Sequence, residues 1–349
     1  MKIKIGILFG GQSPEHEVSV RSARNIVAVL NPEKYDLTLI GIDKQGRWFC
    51  SRSLDKRLAQ GDYAEAVVTN ESVLVALLPG GQGQLVNMRG EEISRLDVIF
   101  PVLHGPYGED GVVQGYLRTA GVPYVGTGIL GSAVGMDKDV MKRLLREANL
   151  PIANFIAYQP TDTIDFAVVK SKLGLPVFVK PANMGSSVGV SRVTNENELN
   201  AACREAFRYD KKIIIEEEIT GREIECAVIG NENPRASLPG EIIVNQDYYS
   251  YKAKYDDSSP TVLKAPADLP LAIQQKIMTL AIQVFKTLAA RGLARVDFFL
   301  RPDGGVIINE INTLPGFTSI SMYPRMWDVS GLSQEQLVEE LISLSLAKN

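Results

Sequence analysis

Arg295-Val296-Asp297 and Asn309-Glu310-Ile311-Asn312 are two stretches that predict a β-hairpin near the C-terminus of the chain. Between them lies Asp303-Gly304, and Asp-Gly flanked by apolar runs is a strong signal for a two-residue hairpin turn. With that turn, Asp297 pairs with Glu310 and Arg295 pairs with Asn312. Because strand side chains alternate between faces, all four polar groups then point to the same face. A three-residue turn would shift this register.

This hairpin predicts a cation site. Two carboxylates about 4 Å apart repel by about 4 kcal/mol at an effective dielectric of about 20, unless a cation joins them. Asp297, Glu310 and Asn312 offer only hard oxygen ligands, which favour Mg²⁺ or Mn²⁺. Since Mg²⁺ commonly completes its coordination with water and phosphate oxygens, a nucleotide partner is expected. The alternative is a solvated hairpin whose acidic side chains splay apart.

The composition is that of a globular protein with several domains. The chain has 349 residues, 45% of them hydrophobic, and a formal net charge of −4, which argues against nucleic acid as a partner. Three widely spaced cysteines suggest neither a disulfide framework nor a zinc site. The first apolar run breaks at Gly10-Gly11, too early for a signal peptide or a membrane span. We therefore expect a cytoplasmic protein with no membrane partner.

The N-terminal third predicts an open α/β domain with a parallel sheet. Strands are expected at 3–9, 36–42 and 97–103, and a helix begins at Ser13-Pro14, where serine is a good N-cap and proline suits the first helical position. The region 44–95 is interpreted as irregular, with a turn at Pro79-Gly80-Gly81. His104 follows the last strand, so a pocket position and a structural hydrogen-bonding role are both open.

The rest of the chain alternates strands and helices after a break at 122–128. A helix at 137–148 places Met141, Leu144, Leu145 and Ala148 on one apolar face. A second helix is expected at 270–291. Strands are expected at 175–180, 213–215, 223–229 and 241–245, and a tyrosine-rich loop at 246–260 resembles a lid or, alternatively, a loop packed on a neighbouring domain.

Two lysines are candidates for binding phosphate. Lys180 ends a buried strand and precedes the small-residue loop 185–190, whose backbone N–H groups could approach phosphate oxygens. Lys138 lies in the first turn of a helix, where the dipole disfavours a cation and an anionic partner would compensate. A flexible hairpin tip and a solvated lysine beside Asp137 and Asp139 are the respective alternatives.

Acidic residues suggest contacts to a nucleotide and to an ammonium group. Glu216-Glu217-Glu218-Ile219 follows an isoleucine-rich strand and could hold an adenine through its backbone, with Glu223 on a ribose. An exposed acidic strand end is the alternative. Glu15, near a helix start, suits the helix dipole and would also suit a substrate ammonium.

Six segments, taken together and in order, resemble the D-alanine–D-alanine ligases of the ATP-grasp superfamily over nearly the full length. They are Gly10-Gly11-x-Ser13-x-Glu15-x-Glu17-Val18-Ser19, His104-Gly105-x-x-Gly108-Glu109-Asp110-Gly111, Lys180-Pro181 with Gly185-Ser186-Ser187-Val188-Gly189, Gly221-Arg222-Glu223, Tyr251-x-Ala253-Lys254-Tyr255, and Asn309-Glu310-x-Asn312-Thr313-x-Pro315-Gly316-Phe317-Thr318.

The resemblance implies three α/β domains with ATP between the second and third. The corresponding division is 1–125 for an N-terminal substrate-binding domain, 126–215 for a central ATP-grasp subdomain, and 216–349 for a C-terminal subdomain with the metal site and the lid. The resemblance also implies a homodimer.

The resemblance further implies a role for each matching residue. Binding of ATP and two Mg²⁺ (or Mn²⁺) ions would involve Lys138 and Lys180 on phosphates, Glu216, Glu217 and Ile219 on adenine, Glu223 on ribose, Lys254 on the γ-phosphate, Asn309 on ATP, and Asp297, Glu310 and Asn312 as metal ligands. The D-alanines would contact Glu15, Ser186 and Tyr255 as a hydrogen-bonded trio, His104 as a substrate contact, Arg295 and the Gly316 N–H as oxyanion donors, and Ser321 and Met322 at the second carboxylate.

The activity implied by the resemblance is ATP-dependent ligation of two D-alanines through a D-alanyl phosphate, for peptidoglycan precursors. Tyr255 favours the dipeptide over a D-alanyl-D-lactate ester, because ester-forming relatives either have phenylalanine there or use a differently patterned lid. Two further hypotheses are another ATP-grasp carboxylate ligase and a nucleotide-binding regulatory module without turnover.

Overall fold

The computed structural model describes residues 1–50, 72–243 and 262–347. The predicted lid at 246–260, with Lys254 and Tyr255, lies outside the described residues. None of the helices in the described ranges is long and apolar enough to cross a membrane.

The N-terminal sheet has seven strands in the spatial order β6-β5-β4-β3-β2-β1-β7. Its parallel part confirms the predicted α/β character, since β1 pairs in parallel with both β2 and β7. The prediction of an irregular 44–95 region is wrong, because four short antiparallel strands lie there and extend the sheet. The strands are β1 (Ile3–Gly10), β2 (Tyr35–Ile42), β3 (Trp48–Cys50), β4 (Val73–Leu77), β5 (Gln84–Asn87), β6 (Glu92–Arg95) and β7 (Val98–Val102).

Two helices follow strands of this sheet, α1 (His16–Val29) and α2 (Val112–Thr119). The predicted start of α1 at Ser13-Pro14 is wrong by two to three residues. The Ser13 hydroxyl accepts the Glu15 N–H at 3.1 Å and its carbonyl accepts the His16 N–H at 3.1 Å. A tight turn therefore precedes the helix and leaves Glu15 at the N-cap position.

A second sheet of four antiparallel strands has the order β10-β9-β11-β8. Its outer face is covered by two helices through a core that includes Val169, Val179, Leu199 and Ile213. The loop 182–190 joins β9 to β10, so the predicted small-residue loop is the tip of a hairpin. The elements are β8 (Phe155–Tyr158), α5 (Phe166–Leu173), β9 (Val177–Pro181), β10 (Ser191–Val193), α6 (Glu196–Ala206) and β11 (Ile213–Glu217).

The third sheet runs β15-β14-β12-β16-β17, with β13 beside β12. Helices α4 and α7 pack on it through Met141, Leu145, Ile277 and Phe285. Two helices precede the second sheet in the chain, α3 (Ile129–Met136) and α4 (Lys138–Glu147). The third sheet and its other helix are formed by β12 (Arg222–Gly230), β13 (Arg235–Ala236), β14 (Gly240–Ile243), β15 (Val262–Lys264), α7 (Leu271–Thr287), β16 (Gly292–Leu300) and β17 (Val306–Asn312).

The last two helices, α8 (Met322–Val329) and α9 (Gln334–Leu346), return to the N-terminal sheet. A single apolar core joins Phe9 and Ile26 of that sheet and α1 to Tyr323, Trp327 and Leu341. The segment 313–321, which connects the hairpin to α8, is therefore held between the first and third sheets. The boundaries at 125 and 215 stay predictions.

Candidate active site

The β16–β17 hairpin has the predicted register at its polar end. Arg295 pairs with Asn312 and Asp297 pairs with Glu310. The predicted two-residue turn is wrong, because the Arg301 N–H donates to the Gly305 carbonyl at 2.8 Å and leaves a three-residue loop between them. Pro302 explains the difference, since a two-residue turn would need an N–H at that position and proline has none.

A β-bulge restores the register that the longer turn would have shifted. Phe298 pairs with Ile308, whereas Asp297 pairs with Glu310, so Asn309 is one extra residue on β17. Asn309 and Glu310 are consecutive and both half-exposed, where regular alternation would bury one of them. The bulge therefore places the carboxylate of Glu310 opposite Asp297 and keeps Asn309 near the same face.

Three carboxylates form a row across neighbouring strands at this end of the sheet. Glu225 of β12 pairs with Asp297 of β16, which pairs with Glu310 of β17. Sequence reasoning missed Glu225, although it lies two residues after Glu223 and so on the same face of a strand. Directly opposed residues on one face lie about 4.5–5.5 Å apart at Cβ, so three acids in a row repel strongly without cations.

Two protein cations offset part of this charge. Arg295 donates to both carboxylate oxygens of Asp297 at 2.7 Å, and its Nε lies 3.2 Å from Glu225 Oε1. Lys138 Nζ lies 3.6 Å from Glu310 Oε2. Burial acts to lower the pKa of Arg295, but the attraction of Asp297 and Glu225 outweighs it and holds that pKa well above its usual value. The guanidinium is therefore a permanent positive charge.

The ligand chemistry of this row fits a hard divalent cation. Its donors are carboxylates, with the Asn312 amide on the same face and no thiol or imidazole among them. Arg295 draws the carboxylates of Asp297 and Glu225 toward itself. Across the described ranges, no three acidic, histidine or cysteine side chains converge closely enough to hold an ion by themselves. The metal ligands named from the sequence stay a prediction.

A second charged cluster lies on the inner face of β9 and β11. The carboxylate of Glu216 is shared by two lysines, with Lys180 Nζ at 2.6 Å and Lys142 in close contact with the other oxygen. The side chain of Lys142 is only 1% exposed. Burial lowers the pKa of Lys142, whereas for Lys180 the attraction of Glu216 outweighs burial and raises the pKa.

Lys142 was missed in the sequence because helix α4 was assigned a different buried face. Met141 and Leu145 are buried as predicted, but the prediction is wrong for Leu144, which is 38% exposed, and for Ala148, which is also exposed. Lys142 lies four residues after Lys138, and this spacing puts the two lysines on one side of the helix. That spacing was the available signal.

Three other residues predicted to hold the nucleotide, Glu217, Ile219 and Glu223, lie in or next to β11 and β12. Glu217 accepts hydrogen bonds from the backbone N–H and side-chain amide of Asn154 at 2.8 and 3.1 Å. Ile219 is half-buried just after β11. Glu223 acts electrostatically on Lys180, as does Glu310, so the two charged clusters are neighbours.

A cavity of about 160 Å³ brings many of the predicted substrate residues together. It lies between α1, the loop 182–190, the hairpin and the segment 313–321. The predicted residues that line it are Glu15, His104, Lys138, Ser186, Arg295, Glu310, Asn312, Gly316, Ser321 and Met322. Asp297 adjoins it through Arg295.

The small-residue loop reaches this cavity with strained backbone. Ser186 and Ser187 have φ values of +51° and +60°, a region that residues other than glycine adopt rarely. Lys138 fixes the loop, since its Nζ donates to the Met184 carbonyl at 2.6 Å. A Cβ on Gly185 would lie 3.8 Å from Glu15 Oε2, so the loop and the Glu15 carboxylate face each other.

Residues His104 and Glu109 hold both backbone polar groups of Leu314. His104 Nδ1 bonds the Leu314 carbonyl at 3.0 Å, and Glu109 Oε1 accepts the Leu314 N–H at 3.2 Å. The other Glu109 oxygen accepts the Gly105 N–H at 2.6 Å. Both roles considered for His104 are therefore present, because it lines the cavity and makes a structural hydrogen bond. Glu109 lies in the segment 104–111 that resembles the family, and no role was predicted for it.

Burial shapes the protonation of this pair. It lowers the pKa of His104, which is therefore neutral near pH 7. Burial, with the nearby charge of Glu15, raises the pKa of Glu109 to about 8. Leu314 lies two residues after Asn312 and two before Gly316, so these contacts fix the segment that carries both.

Gly316 has no room for a side chain. A Cβ there would lie 2.9 Å from the Ser321 hydroxyl. That hydroxyl accepts the Thr318 N–H at 3.0 Å and bonds the Thr318 hydroxyl at 2.7 Å. The backbone of Gly316 therefore approaches the cavity closely.

Comparisons with known proteins agree with this geometry. The sequence model described as D-ala D-ala ligase N-terminus matches residues 4–127, and that described as D-ala D-ala ligase C-terminus matches residues 144–343. The chain is 50% identical to a D-alanine–D-alanine ligase of Oceanobacillus iheyensis over 353 aligned positions, covering 100% of this chain and 96% of the relative.

Solved structures extend the likeness to three dimensions. The D-alanine–D-alanine ligase of Coxiella burnetii matches with a TM-score of 0.85 and 38% identity, covering 99% of this chain and 95% of that one. The VanG D-Ala:D-Ser ligase of Enterococcus faecalis matches with a TM-score of 0.90 and 33% identity, covering 99% and 100%. The fold is ATP-grasp, and the chain belongs to the D-alanine–D-alanine ligase family.

Proposed function

We propose that the chain joins two molecules of D-alanine into D-alanyl-D-alanine for peptidoglycan precursors, with ATP converted to ADP and phosphate. The observation that carries the proposal is the shared cavity of Glu15, Arg295 and Gly316. It combines a carboxylate for an ammonium group, a permanent cation and a close backbone N–H. The 50% identity to a full-length relative of that name supports the same reaction.

In the first step, the first D-alanine binds with its ammonium group at Glu15. One of its carboxylate oxygens attacks the γ-phosphorus of ATP, forming D-alanyl phosphate and releasing ADP. Lys138, Lys180 and Lys254 neutralise the phosphates, which is mostly positioning and electrostatic stabilisation. Ser186 and Tyr255 complete the surroundings of the first substrate.

In the second step, the uncharged amine of the second D-alanine attacks the acyl phosphate carbonyl. The tetrahedral oxyanion is stabilised by Arg295 and the Gly316 N–H, and phosphate leaves as the peptide bond forms. The amine gives up one proton, which ends on the departing phosphate, so that the products are the amide and hydrogen phosphate. Ser321 and Met322 hold the carboxylate of the second D-alanine, and His104 contacts substrate while fixing Leu314.

ATP as co-substrate and a divalent metal go with the family. We propose two Mg²⁺ (or Mn²⁺) ions held by Asp297, Glu310 and Asn312, which would supply positive charge to the phosphates. Adenine would lie along Glu216, Glu217 and Ile219, ribose at Glu223, and Asn309 would contact ATP. The side chain of Glu216 is engaged by two lysines, so it also orients Lys180 for the nucleotide.

Three further assignments are part of the proposal. The domains are 1–125, 126–215 and 216–349, with the tyrosine-rich 246–260 segment as a lid that excludes water from the acyl phosphate. The protein works as a homodimer in the cytoplasm. Tyr255 favours a dipeptide product over the D-lactate ester.

The proposal is tested by phosphate release from Mg-ATP with D-alanine, L-alanine, D-alanine plus D-lactate, or D-alanine plus D-serine, with mass analysis of the products. We expect release that depends on D-alanine, with D-alanyl-D-alanine as the main product in every active mixture. Release that requires D-lactate or D-serine would keep the mechanism and change the second substrate. No release in any mixture would refute the proposal.

A further inference from the structure

Three cationic side chains line the cavity that Glu15 and Gly316 share: Arg21, Lys138 and Arg295. Arg295 is paired with Asp297 and Glu225, and Lys138 with Glu310 and the Met184 carbonyl. Arg21 forms no ion pair or hydrogen bond with any residue in the described ranges. The cavity therefore contains one guanidinium whose charge the described protein does not neutralise.

The position of Arg21 is fixed by its helix. On the same face of α1, the Ser22 hydroxyl accepts the Phe317 N–H at 3.1 Å, and Asn25 Nδ2 donates to the Phe317 carbonyl at 3.0 Å. Val18, one turn earlier, also lines the cavity. These contacts hold Arg21 beside the segment that begins at Gly316.

The wall near Arg21 also favours an anion. The cavity-lining residues Thr318, Ile320, Ser321 and Met322 directly follow Phe317, whose backbone α1 holds. Ser321 is the N-cap of α8, but its hydroxyl is bonded to Thr318 and caps no N–H of the helix. The positive end of α8 and its first-turn N–H groups therefore lie at the same wall as the unpaired guanidinium.

In the proposed reaction, the carboxylate of the second D-alanine needs a positively charged partner from binding to product release. The carboxylate of the first D-alanine becomes an acyl group, whereas that of the second keeps its negative charge through the reaction and into the product. Arg295 is committed to acidic side chains and, in the proposed function, to the oxyanion. Arg21 is the cavity cation that remains for the second carboxylate.

We infer that Arg21 binds the carboxylate of the second D-alanine and so helps determine which amine is accepted. The inference rests on the proposed function, since it assigns a residue to the second-substrate end of that cavity. Arg21 is a new contact in addition to Ser321 and Met322. It selects acceptors that carry a carboxylate next to the attacking amine.

The test is a competition between two acceptors, D-alanine and D-alaninamide, which has the same amine but no carboxylate. Wild type, Arg21→Gln, Arg21→Lys and the control Arg118→Gln are given Mg-ATP and both acceptors, and the ratio of the two dipeptide products is measured by mass. Arg118 is an exposed helical arginine that does not line the cavity. An internal ratio is independent of how much active enzyme each preparation contains.

In Arg21→Gln we expect the preference for D-alanine over D-alaninamide to fall by about 10- to 100-fold, the range of a lost charge-assisted contact. Arg21→Lys should recover most of the preference, and Arg118→Gln should keep it. A lower total rate with an unchanged ratio would assign Arg21 to the structure alone and overturn the inference. A wild type that makes neither product would overturn the proposed function itself.

Discussion

Two clusters of charged side chains lie side by side in the molecule and differ in the sign of their net charge. Counting ion pairs within 4.0 Å, Glu216 is one acid shared by two lysines, Lys142 and Lys180, which leaves one excess positive charge. The hairpin cluster has three acids, Glu225, Asp297 and Glu310, and two cations, Arg295 and Lys138, which leaves one excess negative charge.

The difference shows how one site can serve an anion and a cation together. A buried charge without a partner costs several kcal/mol, so an imbalance is expected to be compensated by a ligand of the opposite sign. The lysine-rich cluster suits phosphates, and the acid-rich cluster suits divalent cations. A magnesium–nucleotide complex would neutralise both.

The largest expected loss of activity follows from removing an acidic side chain from the hairpin cluster. We expect Glu310→Gln to lower the rate of D-alanine-dependent phosphate release by about 1000-fold, because charge stabilisation by a bound metal is worth several kcal/mol and about 1.36 kcal/mol is tenfold in rate. The Mg²⁺ concentration for half-maximal rate should rise. Phosphate release across a Mg²⁺ titration measures both.

The matched control is Asp303→Asn, which makes the same change of charge in the turn of the same hairpin. Its carboxylate accepts the Gly305 N–H at 2.8 Å and is exposed. This variant should keep the wild-type rate and Mg²⁺ dependence. Equal losses in the two variants would show that hairpin charge in general is required and would remove the metal assignment.

The second prediction concerns the lysine-rich cluster and the free energy of unfolding. Glu216→Gln leaves the buried ammonium group of Lys142 and the half-buried one of Lys180 without their shared acid, so the free energy of unfolding should fall by about 3–5 kcal/mol. Lys142→Met leaves the pair of Glu216 and Lys180 intact, and burial already lowers the pKa of Lys142. Its free energy of unfolding should change by about 1 kcal/mol or less. Urea unfolding of both variants gives the comparison.

Similar losses in the two variants would mean that the cluster requires both lysines, and the excess positive charge would then not be a feature reserved for a ligand. A loss confined to Lys142→Met would reverse the assignment of Glu216 as the residue that holds the cluster together.

The polar end of the hairpin shows how far sequence reasoning reaches. The register of a two-residue turn predicted the partners of Asp297 and Arg295 correctly. The turn was wrong, and only the bulge at Asn309 restored the register. A bulge has no reliable mark in a single sequence, because it depends on how the strand is bent by its neighbours.

Strands β3 to β6 and the role of Lys142 were not predicted from the sequence for other reasons. Strands β3 to β6 are three to five residues long, and β6 has no buried residue, so periodicity gives little signal. A lysine in a helix is usually solvated, and only the packing of α4 against β11 brings Lys142 to Glu216. Local patterns were not sufficient either, since the start of α1 and the two-residue turn were also predicted wrongly.

The smallest expected effect is the pH dependence of the free energy of unfolding, to which two buried glutamates contribute with opposite sign. Burial and the charge of Glu15 raise the pKa of Glu109 to about 8, whereas the attraction of Lys142 and Lys180 outweighs burial and lowers the pKa of Glu216. Between about pH 4.5 and 8 the folded chain keeps a proton on Glu109 that the unfolded chain has lost. The free energy of unfolding should therefore fall as pH rises through this window.

The slope from one such group is at most about 1.36 kcal/mol per pH unit, and Glu109→Gln should remove it by keeping a neutral side chain at all pH values. Glu216 acts in the opposite direction, since its contribution is lost only as pH falls below its ordinary value. Urea unfolding at pH 5, 6, 7 and 8 for wild type and Glu109→Gln separates the two. Parallel curves would mean that Glu109 is ionised throughout, so that its two backbone N–H donors, from Gly105 and Leu314, offset burial as the lysines do for Glu216.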